Sequence, residues 1–200
     1  MVDVPSGHRG VVRYLTHPDV IIDPDLPVPE WSLHARGAAR VTDLGRRLAR
    51  LAGTKHVFSS MEAKAVQTAG PLAASLGLAV QRVSALGEND RSSTGYLPKD
   101  EFEAVAERFF AEPDVAVRGW ETAQAAQERI VGEVRRCLAG IGDGDVLFVG
   151  HGAVGTLLFC ALTGQAIDRR HDQPAGGGNW FEFSRPLQAP LRGWQPMELL

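Results

Sequence analysis

Short apolar runs alternate with helix-spaced stretches along most of the 200 residues. Val11–Thr16 is β-branched and aromatic and stops at His17–Pro18, where a proline ends regular pairing, so it predicts a strand. Prolines at 24, 27 and 29 make 21–31 an irregular surface loop. Ala38, Val41, Leu44, Leu48 and Leu51 then recur at spacings of three and four, which predicts an amphipathic helix over 37–51 with Arg40, Arg46, Arg47 and Arg50 outward. His56–Ser60 predicts a second strand, Glu62–Leu76 a helix closed by Gly77, and Ala79–Val83 a third strand.

The middle of the chain reads as helix. Phe102, Val105, Phe109 and Phe110 define one apolar face, and Trp120, Ala123, Ile130, Val134 and Leu138 another, with Pro113–Asp114 breaking the two. Asp145–Gly150 returns to a buried strand, Ala153–Leu162 to a helix, and Gly176–Gly178 leads into a last strand, Asn179–Phe183. Strands alternating with helices predict an α/β fold of three layers, with a mostly parallel central sheet flanked by helices. On this reading 96–140 is a helical insertion over the carboxyl end of the sheet. Residues 1–10 form an N-terminal extension, 11–187 a single domain, and 188–200 a C-terminal tail.

Composition narrows the classes. A net charge of −3 gives no general attraction to nucleic acid. The first ten residues lack the apolar core of a signal peptide, and no stretch reaches the roughly 18 apolar residues of a membrane span, so a cytoplasmic protein without membrane partner is expected. Cys137 and Cys160 lie in apolar helical runs and read as buried free thiols. Of 21 basic residues only Lys55, Lys64 and Lys99 are lysines, which draws attention to any lysine near a site.

In an open α/β sheet, ligands bind beyond the carboxyl ends of the strands. The residues there are His17, Ser59–Ser60, Glu88 beyond the third strand, and His151. Two histidines, each directly following an apolar strand, with a carboxylate and a cation in the same layer, predict one site.

Around these residues the sequence resembles the histidine phosphatase superfamily, the phosphoglycerate-mutase-like proteins. Tyr14–Leu15–Thr16–His17–Pro18–Asp19 is similar to its Leu-Val-Arg-His-Gly-Glu. Trp31–Ser32–Leu33 with Gly37, Ser59–Ser60 with Lys64–Ala65–Val66–Gln67–Thr68–Ala69, Leu86–Gly87–Glu88 and Val149–Gly150–His151–Gly152 resemble its later motifs in the same order. The resemblance implies phosphoryl transfer without metal or cofactor on a small phosphorylated substrate. His17 would be the nucleophile, forming a phosphohistidine that water hydrolyses. His151 would donate to the phosphoryl oxygens, Glu88 would be general acid and then base, and Lys64 would hold the phosphate.

The departures are chemical. Thr16 stands where the family has its first arginine and offers only a hydroxyl; Lys64 stands where it has the second and cannot make a bidentate contact. Pro18 replaces the glycine after the nucleophile and removes an N–H. Each lost charge-assisted contact is worth about 1.5–3 kcal/mol, or roughly 10- to 100-fold in rate. Arg91, three residues beyond Glu88, is the candidate replacement, against a solvated arginine paired with Asp90. Arg169–Arg170–His171–Asp172 is either a lid or a solvated face. A weakened clamp also fits a pseudo-phosphatase that binds an anion without turning it over, whereas the retention of His17, His151 and Glu88 fits an enzyme. The six histidines show no metal-ligand spacing, and no P-loop or nucleophile elbow is present. A mutase would need a site for re-phosphorylation that the sequence does not display.

Overall fold

The computed structural model describes residues 10–185, 187, 190 and 192–200. Its strands are β1 (Val11–Thr16), β2 (Thr54–Ser59), β3 (Val80–Arg82), β4 (Asp145–Gly150), β5 (Asn179–Ser184) and β6 (Gln195–Pro196), and its α-helices are α1 (Ala35–Gly45), α2 (Ala63–Ser75), α3 (Lys99–Ala111), α4 (Ala123–Ala139) and α5 (Gly152–Thr163). The strands form one sheet in the order β3-β2-β4-β1-β5-β6. β1, β2, β3 and β4 are parallel, while β5 runs antiparallel to β1 and β6 antiparallel to β5. The expected α/β fold with a mostly parallel, helix-flanked sheet is therefore the fold of this chain.

Period-two alternation divides the strand side chains between two cores. Val12, Tyr14, Phe58, Val146, Phe148, Phe181 and Phe183 pack with residues of α3, α4 and α5. Leu15, Val57, Leu147, Val149 and Trp180 pack with residues of α1 and α2 on the other face. Gly150 is required by close packing, because a Cβ there would lie 2.3 Å from the Tyr14 hydroxyl.

Three expectations change. Helix α1 ends at Gly45, yet Leu48 and Leu51 still join the same core from the turn that follows, so the apolar spacing marked a continuous core rather than a continuous helix. The 96–140 segment is not all an insertion over the sheet end: α3 lies there, but α4 packs beside α5, its Ala126, Ile130 and Val134 sharing a core with Val146 and Phe148. Its start is capped by Thr122, whose hydroxyl accepts from the Ala125 N–H. The C-terminal segment is no loose tail, since Gln195–Pro196 pairs with β5 and Met197 is buried. Except for Gly10, the expected N-terminal extension lies outside the described residues. Among the described residues, no helix is long and apolar enough to cross a membrane.

Candidate active site

Strand order brings the two histidines together. β1 and β4 are paired neighbours with Thr16 opposite Gly150, so the next residues, His17 and His151, leave the sheet side by side. Their rings are 5.3 Å apart and meet edge to face. The His17 N–H donates to the Gly150 carbonyl, and the His17 carbonyl accepts from the Gly178 N–H, both at 3.0 Å. Gly177, at φ +63°, brings its backbone so close that a Cβ would lie 2.4 Å from that carbonyl. The Gly-rich turn thus holds the His17 backbone from behind.

The side chain is fixed as well. His17 Nδ1 lies 2.9 Å from the Pro18 carbonyl. A carbonyl only accepts, so Nδ1 carries the proton and Nε2 keeps its lone pair. Burial, helped by the fields of Lys64 and Arg91 and opposed by the Pro18 carbonyl and Glu62, lowers the His17 pKa to about 4. The ring is neutral at pH 7. It opens on a cavity of about 240 Å³ lined also by Lys64, Glu88, Asn89, Arg91 and Trp31.

His151 sits behind His17 and is fully buried. Its backbone N–H donates to the Tyr14 hydroxyl at 3.0 Å, while Nε2 lies 2.7 Å from Ser60 Oγ and 3.3 Å from Glu62 Oε1. Its Nδ1 finds no partner among the described residues. Burial, only partly offset by Glu62, pushes its pKa down to about 3. Ser60 Oγ also accepts from the Glu62 N–H at 3.2 Å, so it joins His151 to the start of α2.

Glu88 reaches the first turn of α5, where its carboxyl oxygens accept from the Val154 N–H at 3.0 Å and the Ala153 N–H at 3.3 Å. Those bonds and Arg91 favour the charged form, but burial and the Glu62 carboxylate outweigh them and raise its pKa.

Thr16 is corrected. It is fully buried; its hydroxyl donates to Gln173 Oε1 at 2.6 Å and accepts from the Asn179 N–H at 3.0 Å, so it ties β1 to the start of β5 and does not line the cavity. Lys64 does line the cavity, but its Nζ donates to Glu62 Oε2 at 2.5 Å and to the Val28 carbonyl at 2.9 Å. Glu62 is the residue the sequence reading missed. Burial works to raise its carboxyl, and the fields of His151 and Lys64, with donation from Lys64 and the Glu88 N–H, outweigh that and hold it well below the usual range. A carboxylate just before a helix is an ordinary surface feature, and its position two residues before Lys64 was the only signal.

Arg91 does not pair with Asp90, which accepts instead from the Ser92 N–H. Its guanidinium lies over Phe102 at 5.0 Å and Trp31 at 5.8 Å and makes no hydrogen bond or ion pair among the described residues. Burial lowers its pKa from the ordinary guanidinium value, Glu88 and Glu62 resist, and it remains a cation. Arg169 also lines the cavity but is held by Glu103 and Glu107 of α3, and Arg170 pairs with Asp168. Among the described residues there is no cluster of three or more His, Cys, Asp or Glu able to hold a metal ion.

These residues define an α/β protein whose strand-end histidine faces an anion-sized cavity. The model of the histidine phosphatase superfamily (branch 1) matches residues 26–185, and the chain belongs to that superfamily. The match begins beyond His17, so the first motif stands on the geometry above. Among solved structures, a mycobacterial glucosyl-3-phosphoglycerate phosphatase superposes with a TM-score of 0.74 at 18% identity, covering 92% of this chain and 95% of the other. A phosphoserine phosphatase from Entamoeba histolytica, in complex with 3-phosphoglyceric acid, gives 0.75 at 13% identity, covering 96% and 100%. No curated protein matches the sequence.

Proposed function

We propose that the protein is a metal-independent phosphomonoester hydrolase acting through a phosphohistidine on a small phosphorylated compound. The observation that carries this is His17: neutral, with Nδ1 tied to the Pro18 carbonyl and Nε2 free toward a cavity that also holds Glu88. Nε2 attacks phosphorus and the bond to the leaving oxygen breaks, while Glu88, whose pKa burial and the neighbouring Glu62 raise, protonates that oxygen. Water then attacks the phosphohistidine, Glu88 takes its proton, the N–P bond breaks, and inorganic phosphate leaves.

Stabilisation of the transferring group falls to Arg91 in place of the family arginines. It is desolvated, held over two aromatic rings and without an ion-pair or hydrogen-bond partner among the described residues, which makes it a stronger electrostatic partner than an exposed arginine. The buried Nδ1 of His151, without a partner among the described residues, can donate to a phosphoryl oxygen in the tautomer whose Nε2 accepts from the Ser60 hydroxyl. The superfamily match and the two phosphatases of the same fold support a phosphatase-type activity. Cellular location stays with the sequence-based expectation of a cytoplasmic protein.

One observation favours the second reading, an anion-binding pseudo-phosphatase: the Lys64 ammonium is already paired with Glu62. Turnover of an aryl phosphate by the wild-type chain and by His17→Ala and Glu88→Gln separates the two. The hydrolase reading predicts turnover abolished by the first change and cut by about 10²- to 10⁴-fold by the second. Phosphate binding without turnover across a broad panel of esters supports the pseudo-phosphatase instead.

A further inference from the structure

Resting on the hydrolase reading, we propose that the substrates are phosphate monoesters of uncharged, largely apolar alcohols with an oxygen acceptor close to the ester, and that Asn89 reads that acceptor. Two cavities meet at Glu88, Asn89 and Arg91. The smaller contains His17; the larger, about 580 Å³, contains Glu88 but not His17. In-line displacement puts the leaving oxygen opposite the attacking nitrogen and next to the acid. The body of the alcohol therefore extends past Glu88 into the larger cavity, whose size suits a substantial organic group.

The walls of that cavity state what it accepts. Pro27, Val28, Pro29 and Met61 form an apolar side, and Met61 is 63% exposed at its edge. Single exposed apolar residues are ordinary, whereas several gathered around a cavity mark a binding surface. The ionisable groups in the lining are Glu62, Glu88, Asp90 and Arg91. A carboxylate on the alcohol would meet Glu62 and Asp90 and compete with the phosphoryl group for Arg91, so acidic alcohols are selected against. Asn89 lies at the seam, 6% exposed, with its amide nitrogen buried and unpartnered among the described residues. A donor left in that state is costly, and an ether or hydroxyl oxygen near the ester would satisfy it.

The test compares kcat/KM for alkyl monoesters: 2-phenoxyethyl phosphate, 3-phenylpropyl phosphate, O-phosphoserine and 3-phosphoglycerate. The proposal expects both apolar esters to exceed both acidic ones by at least about tenfold, and 2-phenoxyethyl to exceed 3-phenylpropyl phosphate by about threefold or more, the worth of one neutral hydrogen bond. Asn89→Leu should erase the second preference and keep the first. Met61→Gln, at an exposed position where folding is not at stake and with no charge added near the phosphate, should lower kcat/KM for the apolar esters while leaving inhibition by inorganic phosphate unchanged. Acidic esters turned over as well as or better than apolar ones, with phosphohistidine formed, would overturn the substrate class and leave the hydrolase standing. No turnover of any ester and no phosphohistidine would remove both.

Discussion

Replacing Glu62 by glutamine tests how charge is distributed around the cavity. At neutral pH both histidines are uncharged, burial and the Glu62 carboxylate raise the Glu88 pKa, and the charges beside these groups include Lys64, Arg91 and Glu62. The amide keeps an oxygen to accept from the Glu88 N–H, now at 2.8 Å, but turns an N–H₂ toward Lys64, which then has reason to face the phosphate. A unit charge about 6 Å from another contributes about 2.8 kcal/mol at an effective dielectric of about 20. Because the cavity is partly open, about 1–2 kcal/mol of that should be realised, or roughly 5- to 30-fold tighter inhibition by inorganic phosphate. The same change removes the second cause of the raised Glu88 pKa, leaving burial alone. Glu88 would then lose its proton at lower pH, and the alkaline limb of the kcat/KM profile should move toward acid. Inhibition constants for phosphate and a pH–rate profile read both effects. Unchanged or weaker inhibition would refute the idea that Glu62 draws off Lys64, and an unmoved alkaline limb would refute Glu88 as the acid.

Arg91→Met, which keeps the apolar stem between Trp31 and Phe102, should lower kcat/KM by about 10- to 100-fold with a loss of only about 1–2 kcal/mol in unfolding free energy, checked by steady-state kinetics and urea melts. Thr16→Val should have the reverse profile in the same two assays, costing about 1–3 kcal/mol of stability by orphaning Gln173 and the Asn179 N–H while changing kcat/KM by less than about tenfold. His17 is depressed from 6.5 to about 4 in the folded chain, so as pH falls below 6.5 the unfolded chain takes up a proton first. The associated stability, present above 6.5 and at most about 3 kcal/mol, is lost progressively down to pH about 4, with His151 extending the loss toward pH 3. Thermal melts from pH 7 to pH 4 should fall less steeply for His17→Asn than for wild type; parallel curves would contradict the depressed value.

The central strands were legible because burial on both faces leaves uninterrupted apolar runs: Val11–Thr16 and Asp145–Gly150 form as read, and with them the positions of His17 and His151 at adjacent strand ends. What a one-dimensional pattern misses is which partner a polar group finds across the fold. Thr16 looked available to a ligand, but Gln173 and Asn179, more than 150 residues away, claim its hydroxyl. Lys64 looked like a free cation, and Glu62 two residues before it turned out to share its charge. Arg91 could be placed near Glu88 by sequence, but only the packing of Trp31 and Phe102 against it distinguishes a held guanidinium from a solvated one. The role of α4 was hidden for a related reason, since its apolar stripe suits either an insertion or a layer helix and the neighbouring α5 decides.

Rapid quenching of the wild-type chain during turnover of an aryl phosphate, followed by mass analysis, tests the central claim most directly. The account predicts one phosphoryl group on His17, stable in base and lost in acid, and absent from His17→Ala. Turnover with no phosphohistidine, or a phosphoryl group carried by any other residue, would contradict it.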